Sequence, residues 1–196
     1  MPPCKNDKQG IFLVSKTTQS IFAASALALL VMSAASQAAS TGTITFNGEL
    51  TASTCDVIVD GQAADATVVL PTVSTNQLKT PAQVAGRTGF NMALTNCTGT
   101  LKTAAAFFEA GSTVDTVNGR LKNTSTGGAT NVSLQLLDGA NSSVIQAGNQ
   151  NQIIKNTYTS VASGSGTLPY AVQYYAEGAT TAGLVKSSVV YSIMYK

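Results

Sequence analysis

The chain has 196 residues with a formal net charge of +2, and only 10% of its residues are charged. Such a balanced surface excludes the strong field that attracts nucleic acid or an anionic membrane. The sequence contains no histidine, which excludes Ser-His and Cys-His nucleophilic catalysis and imidazole metal sites. The carboxylates are scattered, with no spacing that favours a glycosidase pair. We therefore predict no enzyme, and no catalytic, cofactor-binding or metal-binding residue.

Residues 1–38 have the pattern of a secretory signal peptide. Three lysines precede an apolar run over residues 21–35, and Ser36-Gln37-Ala38 supplies the small residues that precede a cleavage site. The run is short and rich in alanine, although a single transmembrane anchor is the alternative interpretation. Cleavage after Ala38 leaves an exported chain of residues 39–196, in which eight basic and eight acidic side chains cancel. This length suits one domain with a sizeable core. We expect the exported chain not to be embedded in a membrane.

The exported chain begins with an alternating segment at residues 44–50. Ile44, Phe46 and Leu50 alternate with polar residues, and Gly48 falls on the apolar face. A period of two predicts a strand with one dry face. Such a strand can close its own domain, or it can be donated to a neighbouring molecule. The pattern alone favours neither interpretation.

The rest of the exported chain is predicted to form short strands joined by turns rich in glycine, serine, threonine and asparagine. The predicted strands cover residues 66–70, 90–95, 103–110, 132–137, 170–175 and 187–195. We predict no helix of ten or more residues. Several short strands separated by turn signals favour an all-β fold of the immunoglobulin-like β-sandwich type.

Two cysteines, Cys55 and Cys97, remain after the predicted cleavage. In an exported protein such a pair predicts a disulfide, and two free buried thiols are the alternative. Two cysteines without histidine cannot form an ordinary zinc site. A bridge across 42 positions would stabilise the fold by about 4 kcal/mol in the chain-entropy account.

Four segments of the exported chain, and its C-terminal end, carry motifs that occur together in one protein family. The segments are residues 43–50 with the following Cys55, 94–97, 129–138 and 174–178. Gly183 is fourteenth from the C-terminus and Tyr195 is penultimate. In this order and spacing the motifs resemble the type 1 fimbrial structural subunits of chaperone–usher pili. The resemblance covers essentially all of the exported chain.

The resemblance implies an incomplete immunoglobulin-like sandwich, the pilin domain, that lacks its last strand. A periplasmic chaperone would fill the resulting groove first. At the outer-membrane usher, the N-terminal extension of the next identical or related subunit would replace it by strand addition. Residues 39–51 would be the donor extension, which runs into the first strand, and residues 52–196 the pilin domain. The product would be an extracellular fimbria that supports adhesion.

The same resemblance implies roles for particular residues. The donor face would be Ile44, Phe46, Gly48 and Leu50. The acceptor groove and the C-terminal signature would be Gly183, Tyr191, Ile193 and Tyr195. Cys55 and Cys97 would be joined within the sandwich.

Three functional classes are considered for this chain. The favoured one is the major subunit of a fimbrial rod, and a minor adaptor subunit of the same pilus is the alternative within that class. A secreted carbohydrate-binding β-sandwich is less favoured, because the chain has no tryptophan and most of its six tyrosines fall in predicted strands. An enzyme is disfavoured by the absence of histidine.

Overall fold

The computed structural model describes residues 42–196, so the predicted signal peptide and its cleavage site lie outside the described residues. The chain divides between Phe46 and Asn47. Residues 42–46, taken by themselves, have no regular secondary structure, and residues 47–196 form the folded unit. None of the helices in residues 42–196 has the length and apolar character needed to cross a bilayer.

Nearly all of the regular secondary structure in the folded unit is β-strand, as predicted. A 3₁₀ turn spans Thr75–Gln77, and the α-helix α1, at Gln152–Lys155, has only four residues. The strands are β1 Thr54–Val59, β2 Val84–Thr98, β3 Thr103–Phe108, β4 Leu121–Lys122, β5 Val132–Asp138, β6 Val144–Ile145, β7 Thr159–Ser160, β8 Gly166–Ala176 and β9 Tyr191–Tyr195.

The strands form two antiparallel sheets. The first has the order β1-β2-β8-β5-β4, with β6 also paired to β5. The second has the order β7-β3-β9, so the C-terminal strand lies at its edge. One hydrophobic cluster draws side chains from both sheets, which is the arrangement of a β-sandwich. The predicted incomplete immunoglobulin-like fold is therefore confirmed as a two-sheet sandwich with β1 and β9 at open edges.

Tyr170 of β8 connects the two sheets at the centre of the core. Its ring packs edge-on against Phe108, with centroids 5.1 Å apart, and lies 5.8 Å from the ring of Phe90. Its hydroxyl accepts a 2.8 Å hydrogen bond from the backbone N–H of Ala106 in the second sheet. The polar end of a buried tyrosine is thus satisfied by the opposite layer.

Strand β5 is buried on both of its faces. All seven of its residues are buried, including the polar residues on the alternate face. The Ser133 hydroxyl donates to Glu177 over 2.6 Å, and Gln173 donates to the side-chain oxygen of Gln135 over 2.8 Å. Because neighbouring side chains cover and pair these groups, the polar face of β5 is not solvated.

The apolar run at 66–70 is not a strand. The side chain of Gln62 donates to the Thr67 carbonyl and accepts from the Thr67 N–H, at 3.1 Å each. A side chain therefore takes the place of a neighbouring strand at this point. Val68 and Leu70 still pack against the core from this irregular segment.

The disulfide predicted from the sequence is confirmed. Cys55, the second residue of β1, is joined to Cys97 near the end of β2. These strands are also hydrogen-bonded neighbours in the first sheet. The bridge therefore fixes the edge strand β1 to the longest strand of the sandwich.

Candidate interaction groove

The C-terminal segment, residues 185–195, presents one face to the core along its whole length. Its odd-numbered residues are half-buried, and five of them pack as apolar side chains against the core cluster. These five are Val185, Val189, Tyr191, Ile193 and Tyr195. The even-numbered residues from 186 to 192 are exposed. The strand predicted over residues 187–195 begins only at Tyr191, and the alternation of half-buried and exposed residues continues upstream of it.

The even-numbered residues direct their backbone groups toward the rest of the second sheet. Lys196 and Thr103 exchange two backbone hydrogen bonds of 2.9 Å, and the Glu109 N–H donates to Val190 over 2.8 Å. Residues of an antiparallel strand point their backbone groups alternately to its two sides. Every even-numbered residue from 190 to 196 therefore faces β3 with its N–H and C=O.

Tyr191, Ile193 and Tyr195 consequently direct their N–H and C=O groups to the opposite side of β9. No other backbone or side chain in residues 42–196 forms a hydrogen bond with those groups. Unpaired backbone groups along an edge are a template for another strand. At β9 the template lies beside half-buried apolar side chains, so an added strand would both extend the sheet and cover the core.

A second set of apolar side chains, which we call the second wall, packs against the same core cluster. Val57 of β1, together with Val68 and Leu70, is half-buried against the same cluster. The hydroxyl of Tyr191 donates to the Ala64 carbonyl over 2.8 Å, which connects the start of β9 to the stretch of chain between Val57 and Val68. We call the free edge of β9 and the second wall together the apolar groove.

The groove lining carries no charged side chain. Burial, together with the nearby Asp65 carboxylate, raises the pKa of Tyr191 above its ordinary value, so its hydroxyl is neutral and able to donate. Among the core-facing residues of 185–195, Ser187 is the one whose side chain is neither aliphatic nor aromatic. Its Oγ atom is buried and has no hydrogen-bond partner within residues 42–196. The groove therefore suits an apolar strand.

Gly183 lies outside the lining of the groove. Its φ of +154° and the close packing of Gly128 and Ala129 leave no room for a Cβ atom. The Ala129 N–H donates to the Leu184 carbonyl over 3.0 Å just beyond it. Gly183 thus allows the chain to approach the 128–129 loop at the start of the segment that forms the groove edge.

The predicted donor residues do not form a strand within one chain. Residues 42–53 have no regular secondary structure. The exposed fraction is 77% for Ile44, 88% for Phe46 and 101% for Leu50, and no atom lies within 4 Å of a Cβ built on Gly48. The alternation of Ile44, Phe46 and Leu50 is therefore not accompanied by burial of their side chains.

Sequence reasoning missed the second wall, and it assigned residues 187–195 to a strand without placing any residue upstream of Tyr191 in the groove edge. The odd-numbered pattern of Val185, Ser187 and Val189 continues that of β9 and was readable as one alternation. Val57, Val68 and Leu70 carried no comparable signal, because an inward side chain in a short segment does not reveal which part of the core it will border.

A polar cluster elsewhere bears on the carbohydrate-binding alternative. Arg120 forms a two-point ion pair with Glu177, at 2.7 and 3.0 Å, and its guanidinium lies 4.0 Å from the centre of the Tyr175 ring. Burial raises the pKa of Glu177, but hydrogen bonds from Arg120 and Ser133 outweigh it and hold this pKa below its usual range. These groups bind one another, so the cluster offers a sugar few free partners.

Comparison with known proteins identifies relatives in both sequence and fold. A family model described as FimA, Type-1 fimbrial protein, A, matches residues 70–196. The "Major fimbrial subunit SMF-1" of Stenotrophomonas maltophilia (strain K279a) is 46% identical over 162 residues, covering 80% of this chain and 94% of that protein. The "F17 fimbrial protein" of Escherichia coli is 37% identical over 173 residues, covering 85% and 95%.

Solved structures show the same fold at lower identity. The crystal structure of the P pilus rod subunit PapA aligns with a TM-score of 0.56 and 15% identity, covering 72% of this chain and 99% of that one. A chain from the structure of a chaperone–usher pilus, which addresses rod uncoiling, aligns with a TM-score of 0.53 and 16% identity, covering 80% and 96%. The chain therefore belongs to the type-1 fimbrial protein family and is a structural subunit of a surface fimbria.

Proposed function

We propose that this subunit polymerises by donor-strand exchange, in which residues 44–50 of one copy, the donor segment, occupy the apolar groove of the next. The observation that carries the proposal is the free edge of β9. There Tyr191, Ile193 and Tyr195 combine unpaired backbone groups with apolar side chains that reach the core. The role is structural, with no catalytic function.

The donor segment and the groove edge match in period and length. Four donor positions, at 44, 46, 48 and 50, share one face, and four edge positions, at 189, 191, 193 and 195, face the core. Seven residues of strand extend about 23 Å, the same span as residues 189–195. Burying three large apolar side chains contributes roughly 5–9 kcal/mol before ordering costs. Backbone pairing along β9 adds to this.

The same edge explains a requirement for protection before assembly. An unpaired apolar edge strand promotes aggregation, so an exported subunit needs a temporary partner in the periplasm. A periplasmic chaperone would pair with β9 until the outer-membrane usher brings the next donor segment. The donor then replaces the chaperone along the same backbone groups.

The sequence relatives support the major subunit over the minor adaptor. The relative that is 46% identical is named a major fimbrial subunit and spans nearly the same length. The groove and the donor segment lie in one chain, so a homopolymer needs no second component. We therefore assign this chain to the rod.

A peptide that carries residues 42–52 tests strand exchange directly. A subunit that begins at residue 52, and so lacks its own donor segment, should bind this peptide. Its free energy of unfolding should rise by about 2.7 kcal/mol at a peptide concentration 100 times the Kd. A peptide with Phe46→Asp should stabilise the subunit far less, because a charge would enter the groove. Thr45→Asp, on the opposite face, is the matched control and should retain most of the effect.

The measurement is the shift in Tm of the truncated subunit with each peptide. Equal shifts with the Phe46→Asp and Thr45→Asp peptides would contradict the assigned donor face. No shift with the unsubstituted peptide would contradict strand donation itself.

A further inference from the structure

The chain contains two Asn-Gly pairs, Asn47-Gly48 and Asn118-Gly119, and the structure holds them very differently. In such a pair the glycine nitrogen can attack the side-chain carbonyl of the preceding asparagine. Glycine permits this because it lacks a Cβ and reaches backbone conformations closed to other residues. Whether the attack occurs depends on how freely the two residues can move.

Asn47-Gly48 has the freedom that the attack requires. Both residues are exposed and lie outside any helix or strand. No hydrogen bond within residues 42–196 involves either of them, and no atom lies within 4 Å of a Cβ built on Gly48. The Asn47 side chain and the Gly48 nitrogen can therefore rotate toward each other.

Asn118-Gly119 is held in a conformation that prevents the same reaction. The Asn118 side chain donates to the Asp115 carboxylate over 2.6 Å and accepts from the Arg120 N–H over 2.9 Å. The Gly119 N–H, the group that would attack, donates to the Asp115 carbonyl over 2.7 Å. Gly119 also packs tightly against the backbone of Gln146. This pair is a natural internal control.

We propose that Asn47 is a site of spontaneous deamidation, and that the reaction disables the donor segment of subunits that remain unassembled. The Gly48 nitrogen bonds to Cγ of Asn47, and the Cγ–Nδ2 bond breaks. Nδ2 leaves as ammonia with the proton from the Gly48 nitrogen, which closes a succinimide. One water then opens the ring at either carbonyl. The net change is one water consumed and one ammonia released, with no oxidation or reduction.

Ring opening has two products, and each alters the donor segment. One is aspartate, which places a second negative charge beside Glu49. The other is isoaspartate, in which the main chain runs through the former side chain and gains one carbon atom. An extra backbone atom shifts Gly48 and Leu50 out of register with a hydrogen-bonded edge. This consequence for assembly rests on the proposed strand exchange, whereas the reaction itself does not.

Insertion into a groove would stop the reaction. In a ladder the backbone of the donor segment is held extended by hydrogen bonds to β9. An extended, fixed backbone keeps the Gly48 nitrogen away from Cγ of Asn47. Deamidation at this site therefore records the time that a subunit spends before assembly, and assembled subunits are protected.

Mass spectrometry of subunit peptides tests the proposal. Unassembled subunit from the periplasm and sheared fibres are incubated side by side in mildly alkaline buffer. In the unassembled subunit we expect deamidation at Asn47 to be at least about tenfold faster than at Asn118, since each ~1.4 kcal/mol of local opening free energy slows a protected site tenfold. In fibres we expect Asn47 to be slowed by a similar factor. Asn47→Gln should abolish the modification at residue 47.

The two parts of the proposal fail in different ways. Deamidation at Asn47 that is no faster than at Asn118 in unassembled subunit overturns the modification site and leaves strand exchange untouched. Fast deamidation at Asn47 at equal rates in fibres and unassembled subunit overturns the protection, and it also counts against the placement of the donor segment in a groove. A deamidated fraction as high in newly assembled fibres as in the periplasm overturns the loss of donor function.

Discussion

Two buried amide side chains replace a missing strand beside β3. Strand β7 pairs only with Thr103 and Ala104 at the start of β3. The backbone groups in the second half of β3 that face this side therefore need other partners. Gln152 accepts from the Phe108 N–H and donates to the Phe108 carbonyl, at 2.9 Å each, and Asn156 donates to the Ala106 carbonyl over 3.0 Å. A primary amide carries the same donor and acceptor pair as a peptide group, which explains why two such residues occur inside the core.

Gln152→Met should lower the free energy of unfolding by about 1–3 kcal/mol. The substitution keeps the size of the side chain and leaves the Phe108 N–H buried without a partner. Ile154→Met, at an exposed position of the same short helix, is the control and should change stability little. Urea unfolding of the two variants measures the difference, and equal midpoints would contradict the role of the amide.

The buried hydroxyl of Tyr170 predicts a dependence of stability on alkaline pH. Burial, only partly offset by the Ala106 N–H, raises the pKa of Tyr170 from 10.0 to about 12. Because the folded pKa lies above the unfolded one, the stability is complete below pH 10 and is lost as the pH rises toward 12. One group shifted by this amount corresponds to roughly 3 kcal/mol.

Tyr170→Phe provides the comparison for this pH profile. The variant should be less stable at neutral pH, because the Ala106 N–H loses its acceptor, but its stability should fall less between pH 10 and 12. Unfolding by denaturant at several alkaline pH values measures both effects. An equally steep loss in the variant would assign the alkaline transition to other groups.

Among the strands, β9 uses its even-numbered and its odd-numbered residues for different contacts. Even-numbered residues bind the backbone of β3, and odd-numbered residues carry the free edge and the core-facing side chains. Tyr195→Ala should therefore weaken capture by the chaperone about tenfold or more, because a buried large side chain is worth roughly 1.5–3 kcal/mol. Ser192→Ala, on the exposed face, should have a smaller effect. Co-purification with the chaperone compares them, and equal yields would contradict this register.

Period-two patterns predicted most of the longer strands and none of the two-residue ones. The alternation of Phe90, Met92 and Leu94 identified β2, but its first five residues contain a bulge between Ala85 and Thr88 that hides the period. Strand β1, with six residues, was not predicted, and neither were β4, β6 and β7, which have two residues each. Pairs this short are set by the position of their neighbours, which a local pattern does not contain.

For the subunit as a whole, the disulfide determines how well the edge strand β1 is retained. β2 is the one strand that pairs with β1 in the described residues, and Val57 and Val59 of β1 also pack against the core. Cys97→Ser should cost about 2–5 kcal/mol and leave little subunit in the periplasm. The paired change of Cys55 and Cys97 to alanine separates loss of the bridge from misreaction of a free thiol. Normal abundance of both variants would contradict a structural need for the bridge.

The open core could not be predicted from alternation alone. The pattern at 44–50 is equally compatible with a strand that closes its own sandwich, and only the resemblance to fimbrial subunits separated the two interpretations. An alternating pattern predicts that the apolar side chains will be buried, but it does not indicate whether their own chain or another molecule buries them. The free backbone groups of Tyr191, Ile193 and Tyr195 became visible only when the partners of every strand were known.

The position of Cys55 has a mechanical consequence for a fibre built by strand exchange. Tension along the fibre would enter each subunit through the donor segment and reach the fold at Thr54, the first residue of β1. The next residue is covalently joined to Cys97 of the fifteen-residue strand β2. The load therefore passes through a covalent bond into the longest strand, and the hydrogen bonds of β1 are shielded from peeling. A pulled subunit would extend first at its non-covalent joint with the neighbour, while its own sheet stays intact.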